Sequence, residues 1–119
     1  ARITCPKVES ITNSFRGCAF KVIDLPSIKT MSSPFPHNYA IKHILLRNAS
    51  TVCTLKDYLD SNHMNTVDYI KTVNIYVPAA LMEDYKSATN WSQYADQFRA
   101  LEDYTVDGTI TGALDETKI

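Results

Sequence analysis

The most regular alternation in the chain lies in residues 66–77, where Val73, Ile75 and Val77 fall on one side of an extended segment and Thr72, Asn74 and Tyr76 on the other. This is the pattern of a half-buried strand, and Pro78 ends it. Residues 38–47 predict a second strand, with Tyr39, Ile41, His43 and Leu45 on one face and Asn38, Ala40, Lys42 and Ile44 on the other. Residues 18–25 form a shorter β-rich run stopped by Pro26. Ile3, Cys5, Val8 and Ile11 suit a short strand or hairpin.

Helical spacing appears late. Trp91, Tyr94, Ala95, Phe98 and Leu101 recur as an apolar stripe behind Asn90 and Gln93, which read as an N-cap and a capping-box partner. Residues 50–60 fit a helix or a long loop with apolar anchors, and a helical turn is expected at residues 81–85. No internal repeat and no dividing linker stand out. The expectation is one domain over residues 1–119, with strands and loops over 1–78 and a helical region over 90–119.

Composition narrows the class. With 45% hydrophobic and 21% charged residues the chain suits a packed fold rather than a disordered one. No apolar run is long enough for a membrane-spanning helix, and Ala1 reads as the product of initiator-Met removal in a cytosolic protein. Charge is unevenly distributed. Residues 1–50 carry seven Lys/Arg (Arg2, Lys7, Arg16, Lys21, Lys29, Lys42, Arg47) against Glu9 and Asp24, a balance of +5. Residues 51–119 carry five against eleven acids, a balance of −6, so the near-neutral total conceals a positive half suited to a polyanion.

Catalytic signals are sparse. His37, His43 and His63 lack the paired spacings of a zinc site with Cys5, Cys18 and Cys53, and His43 reads as a core histidine. Three widely spaced cysteines read as free thiols rather than a disulfide framework. The adjacent acidic pairs at 83–84, 102–103 and 115–116 point in different directions and read as solvated surface. With three glycines there is no phosphate-cradling loop, and nothing calls for a cofactor or metal. A non-enzymatic role is expected.

Binding has more support. On neighbouring antiparallel strands, Lys21 and Lys42 would contact phosphates, while Thr72, Asn74 and Tyr76 would add hydrogen bonds and a stacking ring. The helix stripe of Trp91, Tyr94, Phe98 and Leu101 would cover a sheet, either in its own chain or across a symmetric dimer.

The order of elements resembles the coat proteins of single-stranded RNA bacteriophages, the leviviruses. Residues 38–43, Asn-Tyr-Ala-Ile-Lys-His, look like their lysine-bearing strand of the form Lys-Tyr-Thr-Ile-Lys-Val. Residues 19–22, Ala-Phe-Lys-Val, are similar to the Ala-Tyr-Lys-Val strand before it, and residues 68–78 resemble the long strand that precedes the C-terminal helix. The resemblance implies an α+β fold: an antiparallel sheet followed by C-terminal helices, in an interlocked dimer whose helices pack over the partner's sheet. It further implies a capsid protein of the virion that self-assembles into an icosahedral shell in the bacterial cytoplasm. Single-stranded RNA would lie on the inner sheet face, where Lys21 and Lys42 match the family's RNA-contacting lysines and a genomic hairpin would be bound to repress translation. Charge would then follow the shell, positive at the sheet and negative at the helices. The rival expectation is a small dimeric nucleic-acid-binding regulator that forms no shell.

Overall fold

The computed structural model describes residues 2–13, 20–34, 41–59 and 72–104. Its strands are short: β1 (Arg2–Thr4), β2 (Ser10–Thr12), β3 (Val22–Leu25), β4 (Thr30–Ser32), β5 (His43–Leu46), β6 (Thr54–Leu55), β7 (Asn74–Val77) and β8 (Phe98–Ala100). A single α-helix among the described residues, α1 (Met82–Ser87), follows a 3-10 turn at Ala79–Leu81.

Both sheets are wholly parallel, one in the order β1-β3-β5-β7-β8 and the other β2-β4-β6. From β1 to β7 the chain therefore visits the two sheets alternately and returns one position further along, as the coils of a solenoid do, and β8 then joins β7 in the larger sheet. Arg2 pairs with Val22, Val22 with His43 and His43 with Asn74, so successive circuits take 20, 21 and 31 residues. This overturns the antiparallel sheet, and with it the helices interlocked over a partner's sheet. Alternation identifies a strand and its buried face, but it is indifferent to the direction of the neighbouring strand.

An internal repeat is present after all. Ile3-Thr-Cys-Pro-Lys-Val-Glu-Ser-Ile and Ile23-Asp-Leu-Pro-Ser-Ile-Lys-Thr-Met share apolar residues and a proline at the same steps, and Ile75-Tyr-Val-Pro begins another copy. Each part has a physical task. The first two apolar residues point inward from the larger sheet, the proline ends the strand at the corner, and the last apolar residue points inward from the smaller sheet. Ile23, Ile44, Ile75 and Phe98 stack in register with Ile3, while Met31 stacks between Ile11 and Leu55, and all join one core.

The turns repeat as well. Asn13 and Ser33 follow Thr12 and Ser32, which are in register, and both adopt left-handed backbone, with φ of 50° and 41°. One coil on, Asp57 accepts bonds from Ser33 N at 2.8 Å and Ser32 Oγ at 2.9 Å, and from Tyr58 N at 2.7 Å. Burial alone would raise its carboxyl pKa, but these donors outweigh burial and hold it below the usual value.

Of the helical region expected over residues 90–119, the described part forms 3-10 turns over Ser92–Gln97 and then strand β8, while residues 105–119 lie outside the described residues. Asn90 has φ of 69° and is no N-cap, because its amide donates to Leu55 O at 2.7 Å. Gln93 does reach back to Asn90, though to its carbonyl oxygen, at 2.9 Å. The apolar stripe still marks a buried surface, but within its own chain. Trp91, Tyr94 and Phe98 sit in the core with Tyr85, and Leu101 is half-buried. Other expectations agree with the structure: β3 ends before Pro26, β7 ends before Pro78 with Val73, Ile75 and Val77 buried, and helix forms close to residues 81–85.

Charge also takes a different direction. Because strand order follows chain order, the described basic residues of the first half and the described acidic residues of the second half belong to strands and turns at opposite ends of the sheet order.

Candidate binding surface

The outward face of the larger sheet carries the residues between the core positions. Arg2, Val22, His43 and Asn74 form one row, and Thr4, Asp24, Leu45, Tyr76 and Arg99 form the next. Asp24, only 1% exposed, bonds Arg2 Nη2 at 2.6 Å and Arg47 Nε at 2.8 Å. Its charge is thereby matched by guanidinium groups on both sides, as a buried carboxylate requires. Arg47 stands where the repeat otherwise places Pro6, Pro26 or Pro78, so a corner position has become a charge partner.

Tyr104 lies over this face. Its ring packs edge-on to Tyr76 at 5.0 Å and to His43 at 5.9 Å, and its hydroxyl accepts from Arg2 Nη1 at 3.4 Å. Tyr76 and His43 are themselves 5.7 Å apart, and Asn74 Nδ2 lies 3.3 Å from His43 Nδ1. Leu45, fully buried in the ladder between Asp24 and Tyr76, gives the cluster an apolar floor. Burial chiefly raises the Tyr76 phenol; Arg99 opposes this and Asp103 adds to it, so the ring presents a neutral hydroxyl.

Of the residues expected to bind RNA, Asn74 and Tyr76 stand in the outward rows. Lys21 and Lys42 are exposed and adjoin through Lys42 N donating to Lys21 O at 2.8 Å, at the starts of parallel strands. Asn74 N donates to Lys42 O at 2.9 Å, Thr72 is exposed, and Asn74 and Tyr76 are half-buried. His43, read from sequence as a core residue, belongs to the outward cluster. Arg2, Asp24, Arg47 and Tyr104 were not singled out by sequence. The repeat register was the available signal, since it aligns Asp24 with Leu45 and Leu45 with Tyr76.

Elsewhere the chemistry is closed. A cleft of about 410 Å³ lies between β6 and the turn at Asn90 and Trp91. Trp91 Nε1 already donates to Cys53 O at 2.6 Å there, and Asn90 to Leu55 O. Burial pushes the Cys53 thiol up to about 12, so it holds its proton at neutral pH, and burial also raises Cys5. Among the described residues no group of His, Cys, Asp and Glu could hold a metal, and no helix is long and apolar enough to cross a membrane. Cys18, His37 and His63 lie outside the described residues.

The architecture defines a parallel β-solenoid with an ordered polar and aromatic outer face. Comparison with known proteins finds no matching family model, no matching curated protein and no matching solved structure.

Proposed function

We propose that this protein is a non-catalytic recognition module that binds a segment of another protein across the outward face of its larger sheet. The carrying observation is the His43, Tyr76 and Tyr104 cluster, held in place by mutual ring contacts and half exposed on a rigid sheet. Rigid aromatic groups with polar tips give large contact area at little entropic cost, and solenoid faces suit extended partners. Lys21 and Lys42 beside the cluster favour carboxylates on the partner.

A single-stranded RNA ligand has weaker support. The Tyr76 ring is engaged edge-on by Tyr104, and Glu102 and Asp103 beside Tyr104 would repel a phosphate backbone. Shell formation in the manner the coat-protein resemblance implied rests on an antiparallel sheet, whereas both sheets among the described residues are parallel.

Peptides displayed on phage, selected on the wild-type domain, test the reading. The expected winners are acidic peptides that lose at least about tenfold in affinity against Tyr76→Ala and against His43→Ala. Winners indifferent to both variants, salt-sensitive binding of oligouridylate in their place, or closed shells in electron micrographs would overturn it.

A further inference from the structure

Along a strand, one residue turns its N–H and C=O toward one neighbour and the next residue turns both the other way. In β6, Thr54 N and Lys56 N donate to Lys29 O at 2.8 Å and Met31 O at 2.9 Å, so both face β4. Cys53 and Leu55 therefore face away from β4, into the cleft bounded by the turn at Asn90 and Trp91. Side chains meet three of their outward groups. Cys53 N donates to the Tyr85 hydroxyl at 2.9 Å, Trp91 Nε1 donates to Cys53 O, and Asn90 Nδ2 donates to Leu55 O.

Leu55 N is the exception. Among the described residues it has no acceptor, and Leu55 is only 2% exposed, so bulk water does not reach it freely. A shielded amide without an acceptor costs stability, and native folds rarely leave one. The cleft beside it holds no reactive group, but it suits an incoming acceptor. Lys56, exposed at its rim, makes no ion pair among the described residues, while Val52, Ala88 and Trp91 give apolar walls. At about 410 Å³ it is near the lower end of small-molecule sites. A single donor, a single positive charge and apolar walls match a carboxylate on an apolar chain, whereas a buried phosphate would need more donors.

We infer that this cleft binds a small organic monocarboxylate with an apolar tail. One carboxylate oxygen accepts from Leu55 N, the charge faces the Lys56 ammonium, and the tail lies along Val52 and Ala88 against the Trp91 indole. Tyr85, Asn90 and Trp91 are positioning residues, because their bonds to the other outward groups leave the edge of β6 open at Leu55 N alone. Asn90 has left-handed backbone, with φ of 69°, and its amide reaches Leu55 O while Leu55 N stays uncovered. The cleft shares no residue with the aromatic cluster on the larger sheet, so the two readings stand or fall separately.

An NMR titration with hexanoate tests this. The expected result is a saturable shift of the Leu55 amide and Trp91 indole resonances, with slower exchange of the Leu55 amide. Hexanol, which keeps the tail, and acetate, which keeps the charge, should each bind at least about tenfold more weakly. Lys56→Ala alters an exposed side chain and should weaken hexanoate by at least about threefold, and Lys56→Arg should restore it. No saturable shift at Leu55, equal binding of hexanol, or indifference to Lys56→Ala overturns the inference. So does a short peptide that binds through its C-terminal carboxylate where hexanoate fails, since the occupant would then be a protein terminus.

Discussion

The first coil of this solenoid buries Ile11 but leaves Ile3, Cys5 and Val8 partly exposed, whereas the last coil buries Tyr85, Trp91 and Phe98, and the contrast shows how differently the two coils contribute to the core. The last coil spends large rings on closure: Tyr85 and Trp91 are fully buried, 5.5 Å apart and edge-on, with Phe98 against both. Their polar atoms do a second job. The hydroxyls of Tyr85 and Tyr94 accept from Cys53 N and Leu59 N, and Gln97 donates to Val73 O at 2.8 Å. Most backbone groups that another strand would have paired are thus satisfied by side chains, which stops the ladder. In the first coil, Ile3, Cys5 and Val8 have core on one side only.

The sharpest way to break this comparison is to truncate one anchor at each end. Trp91→Ala should cost about 3–5 kcal/mol, because a fully buried ring and a backbone bond are both lost. Ile3→Ala should cost about 1 kcal/mol, since roughly half its transfer energy was never gained. Equal losses in urea denaturation would mean that the ends are energetically alike.

Asp24→Ala should come next, at about 2 kcal/mol, because the partly buried Arg2 and Arg47 would both lose their shared carboxylate. Denaturation of the variant should show the loss, and its persistence in high salt would confirm that the pair is shielded from solvent. A loss below about 0.5 kcal/mol would mark it as an ordinary surface pair.

Tyr85→Phe isolates the hydrogen-bonding half of this closure. It keeps the ring and removes the acceptor for Cys53 N, for an expected cost of about 1–2 kcal/mol. Faster exchange of the Cys53 amide should accompany it.

The thiols give the smallest effect. The folded state holds the Cys53 proton more tightly than the unfolded chain, so its contribution is intact below the ordinary value of 9.0 and falls as pH rises from there toward about 12. Alkylation at pH 8 should label Cys5, in the first coil, well before Cys53. Simultaneous labelling would show that the buried site opens as readily as the other.

Most strands were legible because burial on one face leaves a two-residue alternation, as in Val73, Ile75 and Val77. Their stops were legible because proline removes a donor at residues 26 and 78. Direction was misread: His43 pairs with Asn74 through parallel strands separated by a whole circuit, and no local feature of either segment encodes that path. The stripe from Trp91 to Leu101 was legible as buried surface and misread as a helix. Its aromatic spacing also suits 3-10 turns followed by a strand, and tertiary contacts with β6 chose between them. Asn74 and Tyr76 share the outward face, but the cluster's centre was not legible, because Tyr104 meets Arg2 across 102 residues of sequence.

By itself, the sequence determined the inward face of β7, the strand stops at Pro26 and Pro78 and the uneven distribution of charge along the chain, since each is a property of single residues and short spacings. Tertiary structure decided that the strands run parallel, that His43 and Leu45 face outward, and that side chains of Tyr85, Asn90 and Trp91 bond the backbone beside β6. Those outcomes depend on which distant backbone groups pair, and pairing is settled only when the coils stack and every buried donor must find its acceptor.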